Sequence, residues 1–168
     1  MNKEKMYPES EAKIVWKKGK VKFALVEKEA GLFAPFSYYC GYCIFPKRFL
    51  VERGYGGIVI YVPVHGGITY AKEREDGSMV YGFDCAHVGD EDKPELKDIN
   101  WLKKECEAMA KALRIAKKYE KDYLLAPNNE KRAEVIDRFL REVEEKTGKV
   151  LIIEENFGVM INLLFGML

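Results

Sequence analysis

The sequence lacks several features that would assign it to a specialised class of protein. Its 168 residues contain no glutamine and only two histidines, and 28 Lys and Arg residues balance 27 Asp and Glu residues. A net charge of +1 gives no electrostatic basis for binding nucleic acid or an acidic membrane. Charged residues dominated by Lys and Glu, with glutamine absent, are typical of heat-adapted proteins.

Long hydrophobic segments are also missing. Residues 1–13 contain no apolar core of a signal peptide. The most apolar stretch, residues 157–168, is shorter than a membrane span and contains Asn162. We therefore expect a soluble cytoplasmic protein that does not bind membranes, with its four cysteines as free thiols or metal ligands rather than disulfides.

Runs of β-branched and aromatic residues predict a sheet in the first half of the chain. Residues 13–27 contain two such runs around a glycine and predict a hairpin, and residues 37–46 predict a further strand. The strongest strand signal covers residues 58–73, where Pro63 indicates an edge or a bulge. Asp76-Gly77 favours a type I′ turn, so residues 58–73 and 78–87 are predicted to form an antiparallel hairpin.

Turn geometry fixes which residues of this hairpin face each other. If Asp76-Gly77 is a two-residue loop, Ala71 lies opposite Gly82, and His65 comes close to His87. Side-chain alternation then places one set of residues on the face that packs against the core. These are Ile68, Tyr70, Tyr81, Phe83, Cys85 and His87.

The hydrophobic period changes to three and four in the second half. Residues 95–124 are predicted to form a long amphipathic helix that Asp92 can cap, and residues 130–146 a second helix. Residues 149–155 are predicted as one more buried strand, and residues 1–12 as a loose arm. The fold class expected from this order is α+β: a single domain with an antiparallel sheet covered by two amphipathic helices.

Both histidines lie in glycine-flanked segments that the predicted hairpin brings to one end, and this indicates a functional site. We expect His65 and at least one of Asp84 and His87 to converge within hydrogen-bond or shared-metal reach. The candidate catalytic residues are His65, Asp84, Cys85, His87 and Asp90, and the candidate ligand-binding residues are Gly66 and Gly67. The pairing is open, because His65 with Asp84 and Cys85 with His87 fit the pattern equally well. The paired glycines would let a ligand approach the backbone closely.

Each of these residue types also has a structural role elsewhere. Asp84 and Asp90 can satisfy turn amides, and a cysteine such as Cys85 is commonly a small core side chain. Cys40 and Cys43, together with Cys85 and His87, have the ligand types of a Cys3His zinc site. No second Cys-x-x-Cys is present, and strand alternation separates Cys40 from Cys43, which argues against structural zinc. The cofactor stays open, with a divalent metal as one alternative, and Cys106 is expected to be a core side chain.

Three segments resemble a small uncharacterised protein family of bacteriophages and related mobile elements. They are CGYCIFPK, VHGGITY and YGFDCAHVGD, in this order and followed by a long helix rich in Glu and Lys. The similarity covers roughly residues 38–115 and departs from the family pattern at Cys43, where an aliphatic residue is expected. The resemblance assigns no activity, but it implicates matching positions in a site: His65, Gly66, Gly67, Asp84, Cys85, His87 and Asp90.

Two functional hypotheses follow. The first is a small hydrolase that acts on a small molecule, in which a histidine serves as general base or metal ligand and an aspartate orients it. The second is a non-catalytic accessory module that binds a protein partner, in which the same segments only stabilise the fold. An enzyme requires a concave pocket that exposes His65 or His87, whereas a structural motif would bury both in hydrogen bonds.

Overall fold

A computed structural model describes residues 7–32, 34–153, 156 and 159, which form an antiparallel sheet and two long helices. The five strands lie in the order β1-β2-β3-β5-β4. They are β1 Ile14–Lys18, β2 Val21–Lys28, β3 Tyr38–Phe45, β4 Tyr70–Glu73 and β5 Met79–Asp84. Among the described residues the helices are α1 Pro8–Glu11, α2 Ile99–Leu125 and α3 Asn129–Thr147, with 3-10 turns at Gly57–Tyr61, Asp90–Asp92 and Pro94–Lys97. The predicted α+β fold class is confirmed.

The first half of the sheet follows the sequence pattern closely. β1 and β2 form the predicted hairpin, in which Trp16 pairs with Phe23, and the predicted third strand becomes β3. β3 occupies the centre of the sheet because it pairs with β2 on one side and β5 on the other. The end of β5 is therefore fixed by a central strand, and the site described below begins at that end.

The hairpin between β4 and β5 exists, but its predicted register is wrong by one residue. Arg74 N donates to Ser78 O at 2.7 Å, which leaves a three-residue loop whose last member, Gly77, has a φ of +85°. Ala71 consequently pairs with Tyr81 instead of Gly82. A one-residue change reverses the faces of a strand, so Tyr70 lies with Tyr42 on the face away from the main core.

The long strand predicted over residues 58–73 is wrong for most of its length. Residues Gly57–Tyr61 form a 3-10 turn that contacts both α2 and α3, and only Tyr70–Glu73 pairs as a strand. The apolar run of Ile58–Val62 is buried on all sides rather than alternately. A short continuous apolar run is compatible with either conformation, and Pro63 has no backbone N–H to offer a neighbouring strand.

Helix α2 packs on the sheet along the predicted apolar stripe. Its buried side chains include Leu102, Met109 and Leu113, and Cys106 is buried among them as an unpaired thiol, as predicted. The helix begins at Ile99, four residues later than predicted, because Asp98 caps it in place of Asp92. The Asp98 carboxylate accepts hydrogen bonds from Asn100 N at 2.9 Å and Trp101 N at 3.3 Å.

The two ends of the described chain differ from the predictions. Residues Pro8–Glu11 form a short helix rather than a loose arm, and Glu9 holds Arg74 through an ion pair of 2.6 Å. Residues 1–6 lie outside the described residues. The strand predicted over residues 149–155 does not form within residues 149–153, where Lys149 binds Glu105 at 2.7 Å and the segment that follows lines a cavity beside α2. Within the described part of the chain, no helix has the length and apolarity needed to cross a membrane.

The cap of α2 provides a direct test of where this helix begins. Asp98→Ala removes the side-chain acceptor from two backbone N–H groups and should lower the free energy of unfolding by about 0.5–2 kcal/mol. Chemical denaturation measured by circular dichroism gives this value. Asp92→Ala is the matched control, since it removes an exposed carboxylate that is not at the helix cap, and it should change the stability by less than about 0.5 kcal/mol. A larger loss in Asp92→Ala than in Asp98→Ala would show that the cap is misplaced.

Candidate functional site

Two loops at the end of β5 build the candidate site. The first is a tight turn closed by Gly67 N donating to Val64 O at 2.8 Å, and it carries His65. The second follows β5 and is closed by Asp90 N donating to His87 O at 3.0 Å. Loop closure, rather than strand pairing, therefore brings the two histidines together.

The Asp90 carboxylate joins these loops. Its Oδ2 atom lies 2.9 Å from His65 Nε2 and 3.2 Å from His87 Nδ1, and it accepts the backbone N–H of His87 at 3.0 Å. Lys93 Nζ lies 3.5 Å from Oδ1. The side chain of Asp90 is only 1% exposed, so a single buried carboxylate connects both imidazoles.

The Asp90 carboxyl group is ionised at neutral pH. Burial alone would raise the pKa of Asp90, but the hydrogen bond from His65 and the backbone N–H of His87 hold this pKa below its ordinary value. An ionised carboxylate only accepts hydrogen bonds, so His65 Nε2 and His87 Nδ1 act as donors to it. In each neutral ring the other nitrogen is then left as an acceptor.

The two rings differ in their access to solvent. The His65 side chain is 9% exposed, whereas that of His87 is 31% exposed, and their ring centroids lie 5.6 Å apart in an edge-to-face arrangement. His65 also borders a cavity of about 230 Å³ whose wall includes Lys93, Trp101 and Lys149. The site thus has a buried side at His65 and an open side at His87.

Glu105 is a part of this site that the sequence analysis missed. Its Oε1 accepts the backbone N–H of His65 at 2.9 Å, and its Oε2 accepts from Lys149 Nζ at 2.7 Å. The residue is buried on α2 and thereby fixes the His65 loop to the helix. The sequence does contain an indication of this role. Glu105 comes three residues after Leu102 and four before Met109, so it lies on the apolar stripe of the helix, where a charged residue is unusual.

Asp84 lies beside the cluster and mainly orders the turn after β5. Its Oδ2 accepts from Thr69 Oγ1 at 3.0 Å, and its Oδ1 accepts from Ala86 N at 3.1 Å. Oδ1 also lies 3.6 Å from His87 Nδ1, which is beyond hydrogen-bond distance. The hydrogen bonds of Asp84 therefore match the role of satisfying turn groups, and Asp90 is the carboxylate that lies between the two imidazoles.

Cys85 is placed in the core rather than in the site. The residue is 2% exposed, and burial together with the nearby Asp90 charge raises the pKa of the Cys85 thiol well above its usual value. A buried thiol that stays protonated is a poor nucleophile. Cys85 is therefore a core side chain, in contrast to its placement among the candidate catalytic residues.

The space beside the paired glycines is filled by protein. A side chain at Gly66 would overlap the imidazole of His87, and a Cβ atom at Gly67 would lie 2.8 Å from Asn156 Oδ1. Both glycines adopt positive φ, +70° and +82° respectively. They make room for His87 and Asn156, so the expectation that they admit a ligand to the backbone is not supported by this geometry.

The cysteine pair on β3 does not join the cluster. Cys43 packs into the main core, whereas Cys40 lies on the opposite face of the strand, where burial raises the pKa of its thiol to about 12. Within the described residues, His65, His87 and Asp90 are the group of potential metal ligands whose donor atoms all lie within 4.8 Å of one another. The expected convergence of His65 with His87 is thus observed, with Asp90 rather than Asp84 between them.

Comparisons with protein-family models, with curated proteins and with solved structures found no match to this chain.

Substitution at Gly66 tests whether the tight turn positions His87. Gly66→Ala introduces both an unfavourable positive φ and an overlap with the His87 ring, and it should lower the free energy of unfolding by roughly 2–4 kcal/mol. Gly77→Ala is the matched control, because Gly77 has a similar φ of +85° but open space around it. It should lose only about 1–2 kcal/mol in the same denaturation experiment. Equal losses in the two variants would show that His87 does not occupy the space beside Gly66.

The buried carboxylate also makes stability depend on pH. Because the folded-state pKa of Asp90 is lowered, its contribution is present above the unfolded-state pKa of about 3.9 and is lost as the pH falls through the lower folded-state pKa. The stability difference between the wild type and Asp90→Asn should therefore be largest above about pH 4 and shrink below it. Melting temperatures of both proteins between pH 7 and pH 2.5 measure this difference. A difference that grows on acidification would contradict the ionised carboxylate.

Proposed function

We propose that the protein is a small hydrolase whose active centre is the cluster of His65, His87 and Asp90. The observation that carries this proposal is the buried, ionised Asp90 carboxylate in contact with both imidazoles. An aspartate in this position fixes the tautomer and the orientation of a histidine, as carboxylates do in hydrolytic sites. An imidazole held in this way activates water either as a general base or as a metal ligand.

The surroundings of the cluster support access by a small substrate. The side chain of His87 is partly exposed, and the cavity beside His65 has a volume of about 230 Å³. Its wall combines the Trp101 ring with the ammonium groups of Lys93 and Lys149 and the carboxylates of Glu95 and Glu105. A wall with an aromatic surface and charges of both signs suits a small polar molecule rather than a lipid.

A non-catalytic binding module is the second candidate. It is favoured by the hydrogen bonding of both rings to Asp90 and by the small exposed fraction of His65. In that case Asp90 would serve only to tie two loops together. The resemblance to proteins of bacteriophages and mobile elements, which we retain as a proposal, is compatible with either function.

Substitution of His87 separates these two functions. His87→Ala removes a partly exposed ring, so it should change the melting temperature by only a few degrees, on the order of a 1 kcal/mol loss. In a hydrolase it should also lower kcat by about 100-fold or more. The measurement is hydrolysis of a panel of chromogenic carboxylic esters, phosphate esters and anilides by the wild type and the variant.

Val88→Ala is the matched control, because Val88 is the next residue and is fully exposed. It should retain both the activity and the melting temperature of the wild type. Hydrolysis that is unchanged in His87→Ala, or absent from the wild type on all three substrate classes, would favour the binding module. His65→Ala is a poorer probe than His87→Ala, since His65 is nearly buried and its loss should cost about 1–3 kcal/mol in either case.

A further inference from the structure

We propose that His65, His87 and Asp90 form a binding site for a divalent transition-metal ion, with Zn²⁺ as the preferred ion. The inference deepens the proposed hydrolase by naming its cofactor, and metal binding can be tested without any substrate. The ligand atoms are His65 Nε2, His87 Nδ1 and a carboxylate oxygen of Asp90, from the loop before β4 and the loop after β5. The ion takes the place of the proton that each of these nitrogens donates to Asp90, so each neutral ring then carries its N–H on the other nitrogen.

The distances within the cluster suit a shared ion. Zn²⁺ binds imidazole nitrogen and carboxylate oxygen at about 2.0–2.2 Å, so two ligands at the tetrahedral angle lie roughly 3.3–3.6 Å apart. The two contacts of Asp90 Oδ2, at 2.9 Å to His65 and 3.2 Å to His87, are slightly shorter than this spacing. All three donor atoms lie within 4.8 Å of one another. Small shifts of the ligand atoms would bring them to the spacing of a metal site, and the partly exposed His87 side chain has room to make such a shift.

One of the two carboxylate oxygens of Asp90, Oδ1, accepts no hydrogen bond from the described residues. Three nitrogens surround Oδ2, whereas Oδ1 is buried, has no hydrogen-bond partner in the described structure and forms only a 3.5 Å ion pair with Lys93 Nζ. A buried carboxylate oxygen without a hydrogen bond is costly, and native proteins rarely retain one without a purpose. A cation bound by the two rings and this carboxylate would offset the buried negative charge that Oδ1 shares.

The ligand types select the class of metal. Two imidazoles and one carboxylate suit Zn²⁺ and its first-row neighbours, whereas Mg²⁺ and Ca²⁺ prefer sites made almost entirely of oxygen. Three protein ligands on a Zn²⁺ ion leave a fourth position for water, which is the arrangement of hydrolytic rather than structural zinc sites. The His87 side chain is partly exposed, so a fourth ligand position beside it would be within reach of solvent.

The outer surroundings of the three ligands are also ordered. Glu105 binds the backbone N–H of His65, and Asp84 lies 3.6 Å from His87 Nδ1 while it is held by Thr69 and Ala86. Glu105 therefore fixes the backbone that carries His65, and the hydrogen bonds of Asp84 order the turn that leads to His87.

Metal titrations of the whole chain test the site. The metal-free protein should bind one Zn²⁺ and one Co²⁺ per chain in isothermal titration, and Co²⁺ should develop the visible d–d absorption of a site with mixed nitrogen and oxygen ligands. Zn²⁺ should raise the melting temperature, because an ion that binds only the folded state stabilises it. Mg²⁺ and Ca²⁺ at the same concentrations should produce no heat of binding and no shift in melting temperature.

Variants assign the binding to these residues. Asp90→Asn and His87→Ala should each weaken Zn²⁺ binding by more than about 100-fold and abolish the thermal shift. Cys85→Ala is the matched control, since it removes the nearest thiol of the β5 loop without removing a ligand, and it should bind Zn²⁺ as the wild type does. Circular dichroism of each variant establishes that it is folded.

The outcomes also distinguish the metal site from the proposed hydrolase. No Zn²⁺ binding at 100 µM by the wild type, or unchanged binding by both Asp90→Asn and His87→Ala, would overturn the metal site. If in that case hydrolysis still depends on His87, the hydrolase stands with the histidine as general base. Specific Zn²⁺ binding without hydrolysis of any substrate class would instead retain the site and reject the hydrolase.

Discussion

The Asp90 carboxylate is the interaction on which the candidate site depends. It lies in the interior, carries its charge there, and is stabilised by groups from two loops that no strand pairing connects directly. Removal of Asp90 or of the imidazoles that donate to it would leave the remaining polar groups uncompensated in a region of low dielectric constant. Such a loss is far more costly than the loss of a surface ion pair. The positions of His65 and His87 are therefore set by each other through one shared oxygen atom.

The sheet and helix α2 each hold one of the two loops in place. β5 lies next to the central strand β3 and delivers the His87 loop, while Glu105 of helix α2 holds the His65 loop by its backbone. Loops positioned by a rigid scaffold are where binding and catalytic groups commonly occur. The sheet and helix α2 contribute rigidity, and the two loops contribute all three residues of the cluster.

The elements with a single dominant pattern were predictable from the sequence. The hairpin of β1 and β2, strand β3 and the two long helices all have clear periods and recognisable ends, and they form close to their predicted positions. The segment at residues 58–69 was not predictable, because a continuous apolar run has no period and becomes a buried 3-10 turn and loop instead of a strand. The hairpin register was missed because Gly77 closes a three-residue loop, which the Asp-Gly pair also permits.

The location of the site was predicted from the sequence, but the hydrogen bonds that hold it together were not. Glycine-flanked histidines indicated the meeting of His65 and His87, yet the central role of Asp90 depends on a turn formed only after folding. Glu105 is a second example. A glutamate on the apolar stripe of a helix can be recognised in the sequence, but its partner, the backbone N–H of His65 40 residues away, cannot. Contacts that join distant loops depend on the whole fold, and local patterns do not encode them.

Because every cysteine is buried, the reactivity of the four thiols reports where the protein unfolds locally. All four thiols are free and buried, and their burial raises their pKa values, so each is both shielded and protonated in the folded protein. A thiolate forms readily only when the surrounding strands or helix separate. The four positions sample β3, the end of β5 and helix α2, so the order in which they become reactive would report the order in which those elements come apart.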